Sequence, residues 1–188
     1  MGWNQKLELT FPLIFSLSST TTTTTTHQIM PITNITPCLW FNGQAEEAAE
    51  FYTSIFNDSK ITHVQRWTDE AGQSRVIMAS FTLNNQPFTA LNGGPQFTFN
   101  EAISFQIDCA DQEEVDHYWT KLSEGGDESK QRCGWLADKF GVSWQVVPME
   151  MKQYLGGEDA EGAKRARAAM MGMKKLVVSE LKKAYEGK

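Results

Sequence analysis

The sequence predicts an α+β fold in which one strand–helix–strands plan is used twice, with a further helix at the C-terminal end. Three observations carry that prediction. A short strand-like run followed by a helical apolar stripe occurs at two places, the first opening at Ile35 and the second at Ala102. Each stripe leads into runs of β character separated by turn residues. The segment 160–185 repeats an apolar residue every three or four positions, with Lys and Arg over much of its remaining surface.

In order, "ITPCLWF" (35–41) has strand character and ends at Asn42-Gly43. Ala45, Ala48, Ala49, Tyr52, Ile55 and Phe56 then recur at helical spacing until Asn57-Asp58. Strands are expected over 60–67, 75–83 and 86–92, separated by "DEAGQ" and "NN". In the second copy, Ile103, Phe105 and Ile107 alternate with Ser104, Gln106 and Asp108, the period of a strand. Asp111 and Glu114 form a D-x-x-E capping box, in which side chains satisfy the unpaired amides of a helix start. Val115, Tyr118, Trp119 and Leu122 make the helix stripe, which Gly125-Gly126 stops. "ESKQRCGWLA" and "VSWQVVP" are read as the strands that follow, and Ala166, Ala169, Met170, Met173, Val177, Leu181 and Ala184 as the face of one last helix. That face is expected to pack on the sheet or on a partner subunit. The modules span about 33–95 and 100–150 within one domain, 30–188.

Residues 1–29 stand apart. Leu7 to Leu17 is apolar but broken by Glu8 and Pro12, and a threonine run fills Thr20 to Thr26. Low-complexity sequence of this kind has little to bury. A single Lys, no Arg and no clear small-residue cleavage site fit a targeting peptide poorly. The expectation is a leader outside the fold, disordered or cleaved, with a targeting peptide as the alternative.

With 188 residues the chain can bury a sizeable core. Its net charge of −6 argues against nucleic acid as a partner. The charge is uneven: residues 152–188 hold nine Lys/Arg and five Asp/Glu, about +4, which leaves eight basic and eighteen acidic residues, about −10, in the first 151. A basic solvated helix face explains the tail. Cys38, Cys109 and Cys133 are odd in number, far apart and without a CxxC, which fits a reducing, cytoplasmic setting rather than a disulfide framework. No apolar run approaches the roughly 20 residues of a membrane span.

The words "PCLWFNGQAEEAAEFYTSIF" (37–56), "CGWLADKFGVSWQVVP" (133–148) and "MMGMKKLVV" (170–178) resemble the PhnB-like branch of the vicinal oxygen chelate superfamily. Members of that branch are often labelled 3-demethylubiquinone-9 3-methyltransferase domains. The resemblance implies two βαβββ modules forming a half-open curved barrel around a cavity, usually in a homodimer.

Metal-using members of the superfamily ligate a divalent ion from cavity-facing strands. Carried over, the first-strand histidine falls on Pro37, which has no side-chain donor, and the last-strand glutamate falls on Gln145 of "FGVSWQ". The second module offers Ser104 or Gln106, and the end of the first offers Asn92. Amides and a hydroxyl are poor ligands for zinc, nickel or iron. His27, His63 and His117 are scattered and form no paired motif. No metal site and no cofactor are therefore expected, with a weakly recruited divalent ion as the alternative.

The same positions suit a polar-lined pocket. Ser143, Gln145 and Val147 share one strand face, and Trp144 and Val146 the other. If the apolar faces lie under the helices, Ser104, Gln106 and Gln145 look into a cleft beside Leu39, Phe41 and Asn92. A largely apolar cleft with a few placed amides is how small-molecule sites are built. Cys133, with no adjacent base, reads as a small hydrophobe. The paired glycines 93–94, 125–126 and 156–157 form no GxGxG loop, so nothing in the residues speaks for a methyl-donor site. Two classes of function stay open. One is a binding protein for a small organic molecule. The other is a lyase, isomerase or dioxygenase of glyoxalase type using a recruited metal.

Overall fold

The structure, a computed structural model, describes residues 34–188; the expectation for residues 1–29 lies outside them. The first module runs β1 (Cys38–Phe41), α1 (Ala45–Ile55), β2 (Lys60–Thr68), β3 (Ser74–Leu83) and β4 (Gln86–Asn92). Its sheet has the order β1-β4-β3-β2, with β1 parallel to β4 and the other pairs antiparallel. α1 presents Ala45, Ala48, Ala49, Tyr52 and Ile55, and its three alanines allow the helix axis to approach the sheet closely. The sheet answers with Leu39, Phe41, Ala79, Phe81, Phe88 and Ala90, one face of three strands with period two. β3 and β4 join through Asn84-Asn85, both at positive φ (46° and 62°), the two-residue turn whose twist matches a hairpin.

The second module runs β5 (Phe105–Cys109), α2 (Gln112–Ser123), β6 (Trp135–Ala137) and β7 (Ser143–Pro148), in sheet order β5-β7-β6. β5 and β7 are parallel, and β6 and β7 form a hairpin. The Asp111 side chain caps α2 by accepting from the Glu114 amide at 3.0 Å, and the Glu114 carboxylate accepts from the Ala110 amide at 2.8 Å. The two sheets stay separate, so no closed barrel forms.

This module holds one strand fewer than the βαβββ plan that the resemblance implies, and the strand expected over 128–137 is confined to Trp135–Ala137. Glu128–Lys130 is a 3-10 turn capped by Asp127, and Cys133 and Gly134 take positive φ (51° and 85°). Their amides donate to Met173 O (2.7 Å) and Lys174 O (2.8 Å), so these donors go to the C-terminal segment, while the Gly134 carbonyl still accepts from the Val146 amide of β7 (2.8 Å).

That segment also departs from the single helix expected over 160–185. It forms α3 (Met151–Leu155), α4 (Ala160–Met171) and α5 (Val178–Glu186), with a non-helical stretch, bent at 174–175, between the last two. Leu176, fully buried, lies against Gly134. Gln112 of α2 fixes the stretch twice, accepting from the Val178 amide at 2.8 Å and donating to Leu176 O at 3.2 Å. Tyr154, Ala166, Val178 and Leu181 then form a second small core, with Met170 and Met173 packed on it.

The main core is shared by the two modules. Asp138, only 2% exposed, accepts from Tyr52 Oη of α1 and Trp144 Nε1 of β7, both at 2.8 Å. Its other oxygen accepts the amides of Phe140 (2.9 Å) and Val142 (3.0 Å). A buried carboxylate with four donors is satisfied, and here it fastens the β6–β7 turn to the helix of the other module. Burial is the main influence on its acidity and raises its pKa, while the four hydrogen bonds pull the other way.

Candidate functional site

A cavity of about 670 Å³ opens where the modules meet. One wall is the β3–β4 turn, with Leu83, Asn84, Gln86 and Phe88. Beside it stands the loop after α1, with Phe56, Asn57 and Asp58. These two walls are tied together, since the Asn85 amide donates to Asp58 O (3.2 Å) and the Asn84 amide to Ser59 Oγ (3.0 Å). The opposite wall is β5, an edge strand, with Ser104 just before it and Glu114 and Tyr118 of α2 behind.

The floor is aromatic. Tyr118 stacks on Phe56 at 5.0 Å between ring centres, Phe56 meets Trp144 at 5.4 Å, Trp144 meets Phe105 at 5.4 Å, and Phe105 meets Phe88 at 5.2 Å. All five rings line the cavity. The rim is polar and solvent-exposed: Asn57, Asp58, Asn84, Gln86, Gln106, Asp108 and Glu114. Burial raises the Tyr118 phenol above its ordinary range, and the Glu114 charge adds to this. Burial likewise pushes the neighbouring Cys109 thiol up to about 12, followed by Glu114.

The residues expected from the sequence divide into three groups. Ser104 and Gln106 line this cavity. Gln145 is half-buried and donates its amide to Ser104 Oγ at 2.8 Å, while Gln106 donates to Asp108 Oδ1 at 2.7 Å. Leu39 lines a second, more apolar cavity of about 560 Å³ with Phe99, Ile103 and Val142 among its walls. Phe41 lies in the core against Phe99 and Phe140. Asn92 serves the fold, its Oδ1 accepting the Ala45 amide at the start of α1 (2.9 Å) and its Nδ2 donating to Val76 O (3.0 Å). Sequence reasoning missed the ring floor, because Phe56 and Tyr118 were read only as helix stripe; Trp144, read as core, is core at 2% exposure and backs the floor. It missed the Asp58 rim as well, since nothing in the sequence brings residue 58 to residue 108.

Among the described residues, no group of three or more His, Cys, Asp or Glu side chains stands together as a metal site. His63 is exposed on β2, and His117 Nε2 lies 3.1 Å from Ile55 O. Cys133 Sγ sits 3.8 Å from Met171 Sδ.

The family model for 3-demethylubiquinone-9 3-methyltransferase matches residues 33–147, well over half of the 188-residue chain. The chain belongs to this family. The chain is 40% identical to a solved PhnB protein from Bacillus cereus that carries the same family description. That match covers 61% of this chain and 98% of that one, with a TM-score of 0.54. The PhnB resemblance read from the three sequence words thus stands. A protein from Pseudomonas aeruginosa is 19% identical over 61% of this chain and 96% of its own (TM-score 0.47). The fosfomycin resistance protein FosX from Listeria monocytogenes is 18% identical over 63% and 93% (TM-score 0.42). No curated protein matches. Among the described residues, no helix is long and apolar enough to cross a membrane.

Proposed function

We propose that this member of the 3-demethylubiquinone-9 3-methyltransferase family is a small-molecule-binding protein, with the ring-floored cavity as its site. The carrying observation is the cavity itself. Its volume, about 670 Å³, lies inside the range of roughly 300–1,000 Å³ typical of ligand sites, and it combines a continuous apolar floor with a few polar groups at the rim. The open edge of β5 adds backbone donors and acceptors not used by β7.

Binding without a resident metal is the favoured form of this reading. Pro37 offers no donor atom, the Asn92 amide is occupied on both sides, and Gln145 is bonded to Ser104. Such a donor set does not suit a divalent ion that prefers imidazole, thiolate or carboxylate. Nor do the paired glycines suggest a cradle for a methyl donor. The Gly93 position is closed by the Trp40 ring, Gly126 by the Ala137 carbonyl and Gly157 by the Tyr185 hydroxyl, so each is a packing position.

The test is a thermal-shift screen of small aromatic compounds on the full chain, with metal analysis of protein purified without chelator. Ligands that raise the melting temperature, and lose that effect in Tyr118→Ala, are expected, together with well under one metal ion per chain. About one bound ion per chain, lost in Gln145→Ala, would replace this reading with the metal-assisted enzyme.

A further inference from the structure

We propose that the ligand of this cavity is an organic cation carrying a flat or aromatic body. The inference rests on the cavity being the binding site and adds the ligand's chemical class. Its starting point is the charge of the lining: Asp58, Asp108 and Glu114 are present, and no Lys, Arg or His. Among the described residues none of these three carboxylates takes part in an ion pair. Asp108 accepts from the Gln106 amide and Glu114 from the Ala110 amide, both neutral donors, so the negative charge is left uncompensated.

Three carboxylates on a surface would only be a solvated patch. Here they rim a cavity whose floor presents the half-buried rings of Phe56, Phe105 and Tyr118, backed by the buried rings of Trp144 and Phe88 that touch them. Aromatic faces carry negative partial charge, so a cation placed over them is attracted by rings and carboxylates alike. The half-buried rings strengthen their part of this attraction relative to open water, while the carboxylates act from the exposed rim and are screened by salt. Glu114 is also close enough to the Tyr118 phenol and the Cys109 thiol to oppose their ionisation, after burial. An anion of similar size meets three like charges and no cationic side chain in the lining, so phosphates, phosphonates and carboxylates are disfavoured. The amides of Asn57, Asn84, Gln86 and Gln106 leave room for a polar group on the ligand.

The test uses tyramine, 4-ethylphenol and 4-hydroxyphenylacetate, which share a phenol ring and carry positive, no and negative charge. Binding to the full chain is followed by calorimetry or ligand-observed NMR. Tyramine should bind about tenfold more tightly than 4-ethylphenol, and 4-hydroxyphenylacetate least. In the double variant Asp58→Asn, Asp108→Asn the tyramine-to-ethylphenol ratio should fall towards one. Asparagine tolerates the positive φ of residue 58 (46°), so that change keeps the loop. Raising ionic strength supplies a second measurement that needs no variant. It should weaken tyramine and spare 4-ethylphenol, because only the charged probe is screened. Equal affinity for all three probes, or a tyramine preference unchanged by the double variant and by salt, overturns the cation assignment while leaving the cavity as the site. Failure of all three to bind overturns the cavity reading as well.

Discussion

Four hydrogen bonds converge on the Asp138 carboxylate, two from side chains and two from backbone amides, and they join elements far apart in the chain. Removing the acceptor leaves buried donors without partners, each costing about 1–3 kcal/mol. Asp138→Ala should therefore lower stability by more than about 3 kcal/mol in a urea melt. Trp144 and Gln145 are adjacent but face opposite sides of β7. Trp144, 2% exposed, touches Tyr52, Phe56 and Phe105, so Trp144→Ala should cost about 3–5 kcal/mol. Gln145→Ala removes one hydrogen bond to a half-buried serine and should cost about 0.5–1.5 kcal/mol. Equal losses in the two variants would invert the face assignment. Cys109, pushed to about 12 first by burial, is almost wholly protonated at pH 8. In a thiol-reagent assay it should react only after denaturation, so Cys109→Ser should leave the native fast phase unchanged while the exposed Cys38 reacts.

At the scale of elements, the repeated plan is carried by two amphipathic helices of eleven and twelve residues, each laid over one face of its own sheet. The second helix depends on its cap. Asp111→Ala removes the acceptor of the Glu114 amide and should lower the unfolding free energy by about 1 kcal/mol, measured by denaturant titration. The C-terminal apolar stripe was legible as helix but not as two helices. Its break at 172–177 is made by contacts with residues 112, 133 and 134, which lie far off in the chain. Those contacts use backbone groups of the stretch that a continuous helix would have used internally. Met170, Met173 and Leu181, expected to face the sheet or a partner subunit, instead build the small core of α3, α4 and α5.

For the whole molecule, the surface still holds large apolar side chains. Ile35 is 81% exposed, Ile103 74%, Phe97 66% and Trp67 55%. Ile103 stands beside Leu39 and Phe99 at the second, more apolar cavity, and we propose that a homodimer covers this region. Light scattering at micromolar concentration should read about twice the 21.2 kDa chain mass, and Phe97→Ser with Ile103→Ser should return it to one chain. A monomer in the unaltered protein would overturn this expectation.

The sequence by itself determined the two-module α+β plan, the positions of α1 and α2, the strands of the first module and the cap at Asp111. Each of these follows from local periodicity or turn chemistry, which a reader of one chain can see. It also showed that Trp144 and Val146 face the core. Tertiary structure alone decided the shortening of the strand expected over 128–137 to Trp135–Ala137, the break between α4 and α5, the pinning of Tyr52 and Trp144 by Asp138, and the cavity. In the last case Asp58, Asn84, Asp108 and Tyr118 come from four separate elements, and no spacing in the chain encodes their meeting. It arises because the α1–β2 loop and the β3–β4 turn of one sheet come to stand across from the open edge of the other.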